Sequence, residues 1–182
     1  MACLSPAARR MQGYIVEALF QLMAQKPFDE ITAGEIAARA GVDRSTYYRY
    51  FKSKQAVLRF FLENALPDPP AFPAQSGRQE AFEEFFACCQ RRRRELLLLY
   101  SAGLSGLLVE RFSRPALLCP EGPASWQYAA ACRLGGVAGC LLFWLSRQMQ
   151  DDPAEMARML CASLPPGPPA VLPPLFAALA GA

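Results

Sequence analysis

Residues 31–54 read ITAGEIAARAGVDRSTYYRYFKSK, and this stretch decides the fold. Its first part predicts a helix, because Thr32 followed three residues later by Glu35 fits a capping box. Gly41 predicts a turn, since glycine accepts the left-handed conformation found at helix C-termini. Asp43 is then a natural N-cap for a second helix. Two short helices joined by a glycine turn form a helix-turn-helix, which places its second helix in the major groove of DNA.

The second helix has an apolar side and a polar side when it is read at about 100° per residue. Tyr47 and Phe51 fall on the apolar side, which we expect to pack inward. The polar side offers hydroxyl, phenol and guanidinium groups, which contact phosphates and base edges. We predict that the DNA groove is faced by Arg44, Ser45, Thr46 and Arg49. We predict that phosphates are contacted by Tyr48, Tyr50, Lys54 and Thr32, the last two from helix N-termini that attract anions.

A helix-turn-helix used only for packing, with its basic side chains merely solvated, is the alternative. The charge distribution argues against it. Residues 1–66 hold nine basic and six acidic side chains, a net charge of +3, whereas the other 116 residues hold ten of each. All of the net positive charge therefore lies in the segment with the DNA-reading pattern, where it strengthens phosphate binding.

The pattern resembles the TetR family of transcriptional regulators. The resemblance rests on the spacing T-x-x-x-I-A-x-x-A-G-V followed by Y-x-x-F-x-x-K, which runs here from Thr32 to Lys54. Residues 13–26 fit the first helix of that family, and Tyr50 departs from the His that many relatives carry. The resemblance implies an all-α protein with an N-terminal three-helix domain that binds DNA and a C-terminal helical domain that binds a ligand and dimerises.

A proline-rich stretch, PDPPAFPAQSG at residues 67–77, predicts a break between two parts, because closely spaced prolines cannot continue a helix. We expect a DNA-binding domain at residues 1–66 and a helical regulatory and dimerisation domain at residues 67–182. Apolar spacing in the second part predicts helices at residues 79–101, 104–112, 125–150 and 152–163, and a short apolar turn near residues 175–179.

A homodimer is expected for two reasons. Residues 135–160 resemble the end of TetR-family ligand domains, whose last two helices form a four-helix bundle with a second subunit. A palindromic operator in double-stranded DNA also needs two reading helices about one turn apart, roughly 34–36 Å. The predicted interface residues, on one helical stripe, are Val137, Leu141 and Trp144.

A pocket for a small-molecule effector is expected between the helices of the second domain, since such pockets are mostly apolar with a few polar anchors. The predicted lining is Phe82, Phe85, Phe86, Cys89, Tyr100, Phe112, Trp126 and Tyr128. Aromatic residues at helical spacing also build ordinary cores, and that alternative stays open. The expected function is a repressor released by its ligand. The alternative is an interaction module without ligand sensing, which acts through a protein partner or as a co-activator.

The sequence favours neither an enzyme nor a metal or cofactor site. It contains no histidine, no phosphate-binding glycine loop and no nucleophile elbow. The seven cysteines form no C-x-x-C pair, and we expect small buried side chains in a reducing cytosol. A thiol sensor at Cys88 or Cys89, next to the basic run 91–94, is the alternative.

The apolar run at residues 134–146 is too short to cross a bilayer, and the N-terminus lacks the apolar core of a secretory signal. We therefore expect a cytoplasmic protein that has no membrane partner.

Overall fold

Helices form the described part of the chain, which in this computed structural model comprises residues 6–69, 77–113 and 124–164. They are α1 (Pro6–Met23), α2 (Ala33–Arg39), α3 (Arg44–Tyr50), α4 (Lys54–Ala65), α5 (Arg78–Arg91), α6 (Arg93–Ser101), α7 (Ser105–Ser113), α8 (Ala124–Ser146) and α9 (Pro153–Ser163), with a 3₁₀ turn at Phe28–Glu30. The predicted all-α fold is confirmed. The apolar turn predicted near residues 175–179 lies outside the described residues.

The chain divides into two compact units. Unit 1 comprises Met1–Leu66 and Arg94–Leu104, and unit 2 comprises Pro67–Arg93 and Ser105–Ala182. The units differ from the predicted division at residue 66 in one segment, because Arg94–Leu104, which holds most of α6, groups with unit 1. The assignment of DNA binding and regulation to two separate domains stays a prediction.

Unit 1 has a core built on the apolar side of α1, which packs against α2 and α4. Ile15 and Leu19 of α1 are fully buried, as their spacing along one helical side predicts. The Phe20 and Phe61 rings join α1 to α4 edge to face, with centroids 4.7 Å apart. This packing provides the support on which α2 and α3 are held.

A break at Arg92 separates α5 from α6, so the prediction of one helix at residues 79–101 was wrong. The backbone of Arg92 leaves the helical region, with φ −108° and ψ 21°. Cys89 before the break and Leu96 after it are both buried. They are seven residues apart, about two helical turns, so the apolar stripe continues through the break and hides it in the sequence.

Unit 2 is organised around a cluster of aromatic rings. α5 packs against α9, and α8 packs against α7 and α9. Phe85 contacts Phe86 and Phe112 edge to face, with centroids 5.3 Å and 5.5 Å away. The Phe86 ring meets the Trp144 ring at 5.7 Å and 90°. The cluster therefore ties α5, α7 and α8 together through contacts that rings favour.

The turn between α8 and α9 contains two successive residues in the left-handed region. Gln148 has φ 59° and Met149 has φ 49°, although neither is glycine. The Met149 N–H donates to the Trp144 carbonyl at 2.8 Å, and the Gln148 carbonyl accepts from Arg93 Nε and Nη2 at 3.2 and 2.8 Å. Trp144 Nε1 donates to the Asp151 carbonyl at 3.1 Å. These bonds offset a backbone cost of about 1–2 kcal/mol per left-handed residue.

One described helical segment, Gln127–Ser146 within α8, is long and apolar enough to cross a membrane by length and composition, with a mean hydropathy of 1.5. The segment extends beyond the apolar run at residues 134–146 and includes Arg133. Core helices of water-soluble proteins meet the same criterion. In unit 2 the large side chains Leu134, Leu141 and Trp144 of this helix are buried inside the protein.

Candidate nucleic-acid interface

The turn between α2 and α3 has the geometry that its glycine predicts. Gly41 has φ +68°, and its N–H donates to the Ala38 carbonyl at 3.2 Å. The Val42 N–H donates to the Ala37 carbonyl at 3.0 Å. This pair of bonds closes the end of α2 as a Schellman motif and starts α3 in a new direction. Asp43 stands at the N-cap of α3, but its side chain makes no capping bond there.

α3 buries one side and exposes the other, as predicted. Tyr47 is fully buried and Phe51 is 4% exposed. The predicted DNA-facing residues lie on the accessible side of the helix. The exposed ones are Arg44, Ser45, Tyr48 and Arg49. Thr46 and Tyr50 are half-buried. The structure thus brings six of the eight predicted residues together on one short helix, and their contact with DNA stays a prediction.

Two of the exposed guanidinium groups lie over tyrosine rings. Arg44 Cζ lies 5.7 Å from the centroid of the Tyr48 ring, and Arg49 Cζ lies 5.0 Å from that of Tyr50. The Tyr48 ring stands edge-on to the buried Tyr47 ring, at 5.3 Å and 85°. Cation–π contacts of this kind are worth about 0.5–1 kcal/mol at exposed sites. They restrict side chains that would otherwise sample many rotamers.

Thr32 caps α2, and its donors are directed to Glu35. The Thr32 N–H and hydroxyl both donate to Glu35 Oε2 at 2.9 Å, and the hydroxyl oxygen accepts from the Glu35 N–H at 3.3 Å. Lys26 Nζ donates to Glu35 Oε1 at 2.6 Å. The bond from Lys26 is the largest cause that lowers the pKa of Glu35 to about 2, followed by the bonds from Thr32. The predicted contact of Thr32 with a phosphate would require the hydroxyl to leave Glu35.

Lys54 does not occupy the position predicted for a phosphate clamp. Its ammonium group donates to the backbone carbonyls of Phe28, Asp29 and Ile31, at 2.6, 3.0 and 3.2 Å. The same nitrogen lies 4.5 Å from the centroid of the Phe28 ring. An ammonium group has three donors, and all three point into unit 1. Lys54 therefore joins the start of α4 to the turn before α2, and the predicted phosphate contact would require these bonds to break.

Lys52 is a basic residue beside α3 that the predicted site did not include. It is exposed in the connection between α3 and α4. Next to it, Ser53 caps α4 by accepting from the Ala56 N–H at 3.1 Å. The sequence signal was present, because Lys52 belongs to the same Lys-Ser-Lys run as Lys54. Only the structure distinguishes which of the two ammonium groups is available to a phosphate.

The predicted dimer residues do not lie on a free surface. Val137, Leu141 and Trp144 are at most 1% exposed, and Trp144 is part of the aromatic cluster of unit 2. A side chain that is buried within its own subunit cannot add contact area with another copy. The choice of these three residues is therefore corrected. α8 exposes a different side, where Tyr128 is 74% and Phe143 is 65% exposed.

The predicted pocket residues fall into four groups. Five are buried in unit 2, namely Phe82, Phe85, Phe86, Cys89 and Phe112, and the Phe85 ring contacts those of Phe86 and Phe112. Tyr100 belongs to unit 1, and Tyr128 points away from the interior. The side chain of Trp126 falls outside the described residues. The ring contacts are those of a packed core, the alternative that the sequence had left open.

Burial raises the pKa of the Cys89 thiol, and this desolvation outweighs the opposing effect of Arg91. Because the thiolate is the reactive species, Cys89 is a poor thiol sensor, which corrects that alternative for this residue. Among residues 6–69, 77–113 and 124–164, no three cysteine, aspartate or glutamate side chains gather where a metal ion would bind.

Comparison with known proteins gives matches to bacterial regulators. Residues 15–59 match the family sequence model described as bacterial regulatory proteins, tetR family. Over 78 residues the chain is 36% identical to the HTH-type transcriptional regulator EthR of Mycolicibacterium smegmatis, a match that covers 43% of this chain and 34% of that protein. The chain thus matches about a third of the length of this curated relative.

Two solved structures are similar over most of the chain. The dihydroxyacetone kinase operon activator DhaS superposes with a TM-score of 0.57 at 11% identity, over 85% of this chain and 93% of its own. NalD, the secondary repressor of the MexAB-OprM multidrug efflux pump in Pseudomonas aeruginosa, gives 0.51 at 17% identity, over 86% and 95%. At these identities the likeness shows the fold.

Proposed function

We propose, from the match of residues 15–59 to the tetR family of bacterial regulatory proteins, that the protein is a sequence-specific transcriptional regulator, a repressor released by a small-molecule effector. The observation that carries the proposal is the exposed side of α3, where two arginines and several hydroxyl groups share one short helix. Such a protein works in the cytoplasm, where its DNA is found.

Electrostatics support DNA binding at this site. The net charge of +3 in residues 1–66 attracts phosphates without reading sequence, and the α3 side chains supply the base contacts. Arg44 and Arg49 suit guanine, since arginine donates to its O6 and N7 atoms together. Lys52 takes the phosphate role that the sequence had given to Lys54.

The test is a pair of matched arginine variants on a duplex selected from a randomised DNA library by the full chain. Arg49→Ala removes an exposed guanidinium from α3, and we expect binding to weaken at least fivefold, which corresponds to about 1 kcal/mol. Arg91→Ala removes an exposed guanidinium from the end of α5 and serves as the control, with binding unchanged. Equal losses in both variants would mean that α3 has no special role.

We further propose a homodimer in which α8 and α9 of two copies meet through their exposed sides. These exposed sides carry Tyr128 and Phe143 on α8 and Met159 on α9, all large apolar side chains exposed by 42% or more. Gly135 and Gly139, also exposed on α8, permit close approach of a second helix. A dimer would supply the two reading helices that a palindromic operator needs.

Phe143→Glu tests the dimer, because it puts a charge into the centre of the proposed contact. We expect sedimentation to show a monomer at micromolar concentration, where the parent chain is dimeric. Val109→Glu is the control, since Val109 is 40% exposed on α7, outside this surface. A dimer that survives Phe143→Glu but not Val109→Glu would move the interface to α7.

The effector is proposed to bind between the helices of unit 2, where the buried rings of Phe85, Phe86 and Phe112 would have to move apart to admit a small molecule. Ligand binding would favour a dimer whose reading helices no longer match successive grooves. Linkage then requires that operator DNA weakens effector binding by the same factor by which the effector weakens DNA binding. A panel of small apolar compounds, titrated with and without the selected duplex, tests this. A compound that binds equally well in both states would contradict the mechanism.

A further inference from the structure

Three side chains on α3 form a stack that leads from the core of unit 1 to its exposed surface. The Tyr47 ring is fully buried, and the Tyr48 ring stands edge-on to it with centroids 5.3 Å apart. The Arg44 guanidinium lies over the Tyr48 ring, with Cζ 5.7 Å from its centroid. Arg44 and Tyr48 are one helical turn apart, a spacing at which side chains meet on the same side.

This stack holds Arg44 in a restricted set of orientations. Arg44 is the first residue of α3, and the N-terminal residues of a reading helix are those that contact base edges. A guanidinium reads guanine with two parallel donors, which requires a fixed plane as well as a fixed position. An arginine without such a contact loses rotamer freedom when it binds a base. An arginine already held against a ring loses less, so its binding costs less entropy.

We propose that Tyr48 is a positioning residue whose ring orients Arg44 for one guanine of each half-site, an assignment that rests on the proposed DNA-binding function. The sequence had assigned Tyr48 to a phosphate through its hydroxyl. The two roles use different parts of the side chain. Positioning needs the ring, whereas a phosphate contact needs the hydroxyl group.

Tyr48→Phe and Tyr48→Leu separate the two roles. Binding of the full chain is measured on the duplex selected from a randomised library and on its single-base variants. Arg44→Ala first identifies the guanine, as the base pair at which discrimination is lost. Tyr48→Phe keeps the ring, and we expect it to keep that guanine preference. Tyr48→Leu removes the ring, and we expect the preference at this base pair alone to fall about two- to fivefold, the factor that corresponds to the worth of an exposed cation–π contact.

Two further variants serve as controls for the positioning role of Tyr48. In Arg44→Ala/Tyr48→Leu we expect no loss of guanine preference beyond that of Arg44→Ala, since the ring acts only through the arginine. Tyr14→Leu, a matching change at an exposed tyrosine of α1, should leave base preference unchanged.

Each outcome decides the matter. If Tyr48→Phe and Tyr48→Leu both weaken binding to every duplex alike and keep the guanine preference, the hydroxyl contacts a phosphate and the positioning role is overturned. If the ring variant loses preference at this base pair and the phenylalanine variant keeps it, the role is supported. If the parent chain selects no sequence from the library, the proposed function fails, and the role of Tyr48 fails with it.

Discussion

Lys54→Met is the substitution that most directly tests the reassignment of Lys54 from DNA contact to stability. Methionine keeps the apolar stem near the Phe28 ring and removes the ammonium group with its three hydrogen bonds, which are 2.6, 3.0 and 3.2 Å long. A hydrogen bond from a charged donor contributes about 1.5–3 kcal/mol. One charge is shared among three acceptors here, and water can replace part of the interaction because Lys54 is only half-buried.

We therefore expect the free energy of unfolding to fall by about 2–3 kcal/mol in Lys54→Met, with most of the loss due to carbonyl groups left without a donor. For a chain of this size that corresponds to a decrease in Tm of about 4–12 °C. Urea unfolding followed by far-ultraviolet circular dichroism measures the change, and an unchanged m-value excludes a change in compactness. Measured well below the melting temperature, the salt dependence of DNA binding should remain that of the parent.

Lys52→Met is the matched control. Lys52 is exposed, so we expect its replacement to change stability by less than about 0.5 kcal/mol and to lower the salt slope of DNA binding by about one unit. The reverse pattern, in which Lys54→Met leaves stability intact and lowers the salt slope, would refute the reasoning and restore the phosphate clamp.

Three other predictions concern single side chains. The buried Tyr47 hydroxyl has no hydrogen-bond partner among the described residues, so Tyr47→Phe should stabilise the chain by about 1 kcal/mol in urea unfolding. The pKa of Glu35 falls from its ordinary 4.5 to about 2 on folding, so its stabilising effect is fully present above pH 4.5 and is lost as the pH falls towards 2. Glu35→Gln should flatten the stability–pH profile in that interval. Iodoacetamide should label the exposed Cys132 in the native chain and spare Cys89, whose thiol pKa is raised by burial, as peptide mass mapping can check.

Each of these has a contradicting result. A destabilised Tyr47→Phe variant would mean that the hydroxyl has a partner, such as a buried water. A Glu35→Gln profile that still declines between pH 4.5 and 2 as steeply as the parent would assign the acid sensitivity to other carboxylates. Equal labelling of Cys89 and Cys132 in the folded chain would mean that α5 opens readily.

The helices and the turn of the helix-turn-helix could be predicted from the sequence, because the residues that determine them act on their near neighbours. The capping pair Thr32 and Glu35 and the glycine at position 41 act within a few residues of themselves, and the structure contains each of them in the expected conformation. The amphipathic side of α3 was equally readable. Lys54 was not, because its partners lie 23–26 residues earlier in the chain, and no local pattern encodes a contact with a distant carbonyl.

The buried side of α8 could not be predicted from the sequence, for a different reason. This helix is apolar on most of its circumference, so periodicity does not tell its buried side from its exposed side. The sequence prediction placed Trp144 at the dimer interface, whereas the structure exposes its neighbour Phe143 and buries Trp144. Trp144 is held inside unit 2 by two contacts. Its ring meets that of Phe86, and its indole N–H donates to the Asp151 carbonyl. Such contacts depend on how α5 and α9 pack, which a stripe on one helix does not reveal.

The left-handed turn after α8 has a mechanical consequence. Gln148 and Met149 hold left-handed angles while the Gln148 carbonyl accepts from Arg93 and the Met149 N–H donates to the Trp144 carbonyl, so a change in these angles would disturb those bonds. The connection thus restricts the angle between α8 and α9. In the proposed dimer, a second subunit would meet the exposed Phe143 and Met159 in a relative position that this turn fixes. Association would then lose little ordering entropy, and a disturbance at either helix would be passed to the other as a rigid rotation.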